Sequence, residues 1–138
     1  MTRRRIREHI FSILFSTEFH NDNEFEEQYM MYWSVQEEEP TEEEHTEIKN
    51  KIKEIKKHIP EIDPVIESNA RGWKLNRIGN ADLCILRLSI YEMKYDETVP
   101  EGVAINEAVE LAKQYGMDNS PAFINGILAN VLKQYKEG

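Results

Sequence analysis

From Leu75 to Tyr95 the residues leave almost no polar side to a helix. Leu75, Ile78, Ala81, Leu83, Cys84, Ile85, Leu86, Leu88, Ile90, Tyr91 and Met93 recur so that, at about 100° per residue, they cover nearly the whole circumference. Such a helix is stable in water only when other elements surround it. The spacing therefore predicts a long central helix, and the rest of the chain must supply its surroundings.

The flanking segments are helical too. Ile6, Ile10, Ile13, Leu14 and Thr17 share one helix face, and Asn21-Asp22-Asn23 is read as the turn that ends it. Phe25, Tyr29, Tyr32 and Trp33 repeat the pattern. Thr41 and Glu44 have capping-box spacing ahead of a narrow stripe of Ile48, Ile52, Ile55 and Ile59. Pro60 is expected to stop that helix, and Asp63-Pro64 to start another with Asp63 as N-cap. Gly72 should break it before the central helix. After Val99-Pro100-Glu101-Gly102 come Ile105, Ala108, Val109 and Ala112, closed by Gly116 as a left-handed C-cap. Ser120-Pro121 should cap a last helix bearing Ile124, Ile127, Leu128, Val131 and Leu132. No segment shows strand alternation with hairpin turns. The expectation is an all-α fold of about seven helices. It is a single domain over residues 1–138, with subdomains of about 1–59 and 60–138 sharing the central helix.

The chain has 17 Lys and Arg against 26 Asp and Glu, a net charge of −9. Residues 37–47 hold seven glutamates and no Lys or Arg; taking those seven from −9 leaves −2 for the rest. Nucleic acid is thus excluded as an indiscriminate ligand and admitted only at a local basic patch. A lone cysteine, Cys84, excludes a disulfide framework or a cysteine-built zinc site and reads as a small core residue. Glu8-His9 interrupts what a signal peptide would need as its apolar core, and no apolar run approaches the ~18 residues of a membrane span. The expectation is a soluble, cytoplasmic protein. Phosphate-cradling glycine patterns are absent, and His9, His20, His45 and His58 form no i, i+4 pair. No enzyme, cofactor or metal site is expected.

Three constellations stand out. Arg3, Arg4, Arg5 and Arg7 crowd the start of the first helix, where each exposed cation costs ~0.3–1 kcal/mol against the helix dipole. Arginine suits bidentate phosphate contact, although a charged N-terminus alone is also an ordinary feature. Asp82 shares a strip with Leu86, Ser89 and Met93, so it must pair internally or face a partner, and from the residues alone an internal ion pair is the expectation. In Phe123-Ile124-Asn125-Gly126, Phe123 is either a stacking platform for an unpaired RNA base or a peripheral core residue. Gly126 is expected to permit a close helix crossing.

Together these segments resemble the NusB family of bacterial transcription antitermination factors. The resemblance lies in Arg3-Arg4-Arg5-Ile6-Arg7-Glu8, in Trp73-Lys74-Leu75-Asn76-Arg77-Ile78 and in Asp82 with Ile85-Leu86-Arg87-Leu88-Ser89-Ile90-Tyr91-Glu92-Met93. It continues in Val99-Pro100, then Val103-Ala104-Ile105-Asn106-Glu107-Ala108-Val109-Glu110-Leu111-Ala112-Lys113, and Ser120 with Phe123-Ile124-Asn125-Gly126-Ile127-Leu128. Residues 20–65 match only in length and helical character.

The resemblance implies an all-helical fold and a partner, NusE, which is also the tenth protein of the small ribosomal subunit. It implies binding of single-stranded boxA RNA and read-through of terminators, notably in ribosomal RNA operons, within a transcription complex containing RNA polymerase. It places Arg3, Arg4, Arg5 and Arg7, with Asn119, Ser120 and Phe123, at the RNA surface. It places Asp82 at the NusE contact, with Leu86, Ser89 and Met93 around it. Asn119 stands where many relatives have Asp, and Pro121 and Ala122 stand where a longer polar or basic residue is common, which thins the basic character there. The alternatives are the NusB-like RNA-binding domain of a cytosine-5 RNA methyltransferase and an interaction module without RNA contact. The first needs a further domain with a nucleophilic cysteine, so a free-standing factor is expected. The sequence leaves open a homodimer of the free protein, the preferred RNA sequence and any role for residues 37–47.

Overall fold

The computed structural model describes residues 1–17 and 21–137. Helix α1 is Arg3–Ser16, α2 Asp22–Ser34, α3 Glu42–Asn69, α4 Asn80–Tyr95, α5 Glu101–Tyr115 and α6 Ser120–Glu137, with one 3-10 turn at Leu75–Arg77. Among the described residues there are six α-helices and no strand. The all-α expectation is met. The starts of the first three helices follow capping chemistry. The Thr2 hydroxyl accepts from the Arg5 amide at 3.1 Å. The Asn21 side chain accepts from the Glu24 amide at 2.9 Å, so this run starts α2, while α1 already closes at Thr17. At α3 the capping box is reciprocal: Glu44 N–H to the Thr41 hydroxyl at 3.1 Å, Thr41 N–H to the Glu44 carboxylate at 2.9 Å.

The largest departure from expectation is α3, whose 28 residues run through both Pro60 and Pro64. Each proline removes one helical hydrogen bond, at ~3 kcal/mol in a helix interior. The isoleucine stripe continues past them: Ile48, Ile52, Ile55, Ile62 and Ile66 are all at most 1% exposed. Burying each is worth ~1.5–3 kcal/mol, so the stripe outweighs the breaks. Asp63 does not cap a helix. Its two oxygens accept from Arg87 Nε at 2.9 Å and Nη2 at 2.8 Å. Two expected helices are therefore one.

The expected helix from Leu75 is shorter. Gly79 is extended (ψ 148°) and caps α4, separating it from the 3-10 turn. Within α4, Ile85, Leu86, Leu88, Ile90 and Met93 are buried, whereas Ala81 to Cys84 are half-buried.

The chain forms two compact units, Met1–Glu54 and Ile55–Gly138, with the boundary inside α3. In the first unit the buried apolar residues include Ile6, Ile10, Ile13, Phe25, Tyr29, Ile48 and Ile52. In the second, α4, α5 and α6 pack pairwise, burying Ile85, Leu88, Ala104, Ala108, Ile124, Leu128 and Val131.

Candidate nucleic-acid and partner surfaces

In the first unit, α1 has no acidic residue in its first turn. Its dipole is met instead by carboxylates from residues 37–47. Arg3 Nη1 donates to Glu47 at 2.5 Å, and Arg5 Nε donates to Glu38. Arg5 also lies 3.5 Å from Glu8, and the terminal amine lies 2.6 Å from Glu44. The Glu47 hydrogen bond raises the Arg3 pKa, and the Arg5 hydrogen bond holds the Glu38 carboxyl below its ordinary value. Arg3 and Arg4 are exposed and Arg5 is half-covered. Arg7 is only 8% exposed, so its guanidinium is committed to the fold and is not presented to a ligand as expected.

Behind this tip, His9 is 1% exposed. Its Nδ1 is 2.6 Å from the Tyr32 hydroxyl and its Nε2 3.1 Å from Glu38. Burial pushes the His9 pKa below its ordinary value, and the Glu38 hydrogen bond opposes that.

In the second unit, Asp82 and Ser120 meet. The Ser120 hydroxyl donates to the Asp82 carboxylate at 3.0 Å and accepts from the Met117 amide at 2.9 Å. Asp82 lies in the first turn of α4, where the dipole favours an acid. Among the described residues it has no ion pair; a hydroxyl takes the place of the expected cation. Ser120 is 1% exposed and is not the N-cap of α6. Exposed Asn119 fills that position, its carbonyl accepting from the Phe123 amide at 3.1 Å.

Gly116 is extended (φ −93°, ψ −169°), not left-handed. Its lack of a side chain serves a close approach: a Cβ there would lie 2.5 Å from the Ser120 Cβ and 2.8 Å from the Ala112 oxygen. Gly126, expected at a helix crossing, is exposed, with nothing within 4 Å of a Cβ. Phe123 is half-buried.

The rest of the Asp82 strip is core. Leu86 is 0%, Ser89 1% and Met93 8% exposed, and the Ser89 hydroxyl donates to the Ile85 carbonyl at 2.8 Å. Side chains so enclosed offer no partner surface of their own; they fix α4 beneath Asp82. Met117, whose amide donates to the same Ser120 hydroxyl that holds Asp82, is 77% exposed.

Sequence reasoning passed over the loop before α4. Arg71, Lys74 and Arg77 are exposed around Trp73, itself 54% exposed, and none of the three has an ion pair among the described residues. Arg71 (φ 46°) and Gly72 (φ 89°) adopt left-handed conformations that turn the chain there. Lys74, Asn76 and Asn80 line an open hollow of about 410 Å³ with Glu67, Leu75, Ile78 and Leu83. The signal was legible as basic residues interleaved with a tryptophan on an acidic chain.

No group of three potential metal ligands occurs among the described residues, and His20 lies outside them. Cys84 is half-buried, and burial pushes its thiol pKa up. No helix among the described residues is long and apolar enough to cross a membrane.

The transcription antitermination protein NusB of Lachnoclostridium phytofermentans is 47% identical over 133 residues, covering 96% of this chain and 99% of that protein. The structure of T. maritima NusB superposes with a TM-score of 0.83 at 34% identity, covering 97% of this chain and 92% of that one. The fold is also that of a crystal structure of the antitermination factors NusB and NusE in complex with double-stranded RNA (TM-score 0.77, 24% identity, 98% and 100% covered). With the NusB family profile matching residues 4–133, the chain belongs to the NusB family.

Proposed function

We propose that this chain is a transcription antitermination factor that binds single-stranded boxA-type RNA together with NusE and promotes read-through of terminators, especially in ribosomal RNA operons. The observation that carries the RNA reading is the tip of α1, where Arg3 and Arg4 stand exposed at the end of a helix that disfavours cations. The relatives' shared name and the fold of the NusB–NusE–RNA complex support it. In the second unit, Asn119 and Phe123 join Trp73, Arg71, Lys74 and Arg77 as RNA contacts. An exposed indole stacks on unpaired bases, and the cations take phosphates. Asp82 meets a basic group of NusE, with Met117 as the apolar contact beside it. The role is binding, without catalysis, in the cytoplasm and within a complex with RNA polymerase.

A boxA-like RNA oligonucleotide, titrated with and without the organism's own NusE, tests this. NusE should tighten RNA binding, and RNA should tighten NusE binding equally, because coupling is reciprocal. Replacing Arg3, Arg4 and Arg5 by alanine should weaken RNA binding. The log–log salt slope should flatten by about 2 if all three contact phosphates, at about −0.7 each for a single strand. Unchanged affinity and slope in that variant would remove the arginine tip from the RNA site.

A further inference from the structure

The glutamate run is placed against the arginines. Glu47 holds Arg3 at 2.5 Å, and Glu38 holds Arg5 while also lying 3.1 Å from the buried His9. Each carboxylate therefore takes a guanidinium N–H that a phosphate oxygen would otherwise accept from, since both are oxyanions matched to the same donors. Glu37, Glu39, Glu42 and Glu43 of the same run are exposed and have no ion pair among the described residues. They surround the tip with negative potential that repels a polyanion.

We propose that residues 37–47 are a tethered competitor for the arginine tip, with Glu38 and Glu47 acting as internal phosphate mimics that RNA must displace. This rests on the RNA reading above and adds its regulation. The contact holds Arg3 and Arg5 in place while the protein is free, and it discriminates against weak, non-specific polyanions. Only a ligand with further contacts, or one delivered with a partner, displaces both carboxylates. The Arg3 pair is largely exposed, with side chains 70% and 40% accessible, so displacement is readily reversible.

The test compares two double variants of equal charge in the full-length protein. Glu38→Gln/Glu47→Gln removes the two paired carboxylates; Glu37→Gln/Glu42→Gln removes two unpaired ones. Affinity for a boxA-like single-stranded RNA is measured across a salt series, with Arg3→Ala/Arg4→Ala/Arg5→Ala alongside. The paired variant should bind several-fold and up to about 25-fold more tightly at low salt, each of the two exposed pairs opposing binding by at most about fivefold. Its advantage should shrink as salt rises, because the ion pairs it lacks are themselves screened. The unpaired variant should gain less. Equal gains would reduce the effect to net charge and overturn the proposal, as would no gain in the paired variant. If the alanine variant also binds RNA normally, the RNA reading fails as well; if it binds weakly, only the competitor falls. Should Glu38→Gln disturb His9, seen as lost helical content, Glu47→Gln alone repeats the comparison through Arg3.

Discussion

The Ser120 hydroxyl donates to the Asp82 carboxylate across 3.0 Å, joining the start of α6 to the first turn of α4. The acid assigned to a partner and a serine assigned to RNA thus form one hydrogen-bonded unit, with the Met117 amide as its third member. Ser120→Ala should cost ~1–2 kcal/mol, because it leaves a partly buried amide and a half-buried carboxylate without their partner. Urea unfolding at neutral pH measures this.

Asp82 itself separates structure from recognition. Asp82→Asn keeps an oxygen to accept from Ser120, so unfolding should move little. Asp82→Lys should keep helical content yet weaken NusE association several-fold or more. Titration of labelled NusE with each variant, beside circular dichroism, checks both. Normal NusE binding by Asp82→Lys would take the acid out of the interface.

The two glycines flanking this unit should respond oppositely to alanine. Gly116→Ala forces a Cβ to 2.5 Å from Ser120, so overpacking should cost ~1–3 kcal/mol. Gly126→Ala, in open space on the exposed side of α6, should gain ~0.5–1 kcal/mol of helix propensity. Paired thermal melts decide the signs.

What the sequence disclosed and what it withheld divide by range. Helical spacing, the Thr41–Glu44 box and the arginine tip depend on residues a few positions apart, and all were legible. Asp82 was marked as anomalous, but its partner is 38 residues away, and no local pattern points from an acid to a distant serine. The glutamate run was conspicuous, yet its contact with the arginines spans 33 and 44 residues and appears only when α1 and α3 are folded. Leu86, Ser89 and Met93 share the strip with Asp82, yet only its N-terminal end reaches the surface, because burial along α4 is set by the helices packed on it and not by its own spacing. Continuity through Pro60 and Pro64 was hidden because proline's cost is local and the burial of Ile62 and Ile66 is tertiary.

That continuity has a measurable consequence. Pro60 and Pro64 are exposed, so replacing them removes no core contact. Pro60→Ala restores an amide facing the Lys56 carbonyl and relieves ~3 kcal/mol of helix-interior penalty. Against this, the unfolded chain gains freedom worth ~0.4–1 kcal/mol. The net should be a stabilisation of about 2 kcal/mol, read as a raised unfolding midpoint. A lower midpoint would show that α3 uses the proline as a break after all.

Buried His9 couples folding to pH. Its ring is enclosed, bonded by Tyr32 and Glu38, with Arg5 and Glu8 also acting on it, and burial holds its folded pKa below the ordinary 6.5. As pH falls through about 6.5 the unfolded chain binds this proton first, so folding stability declines from there until the folded imidazole also titrates. Glu38 works in the same direction at lower pH. Its folded pKa lies below 4.5, chiefly through the Arg5 hydrogen bond, so its contribution is present above that value and lost as pH falls past it. Stability should therefore fall in two stages on acidification. His9→Gln, which retains hydrogen-bonding capacity without titrating, should abolish the first stage and leave the second. Denaturant midpoints from pH 7.5 to pH 3 for both proteins measure this, and a first stage that survives in His9→Gln would assign it to another group.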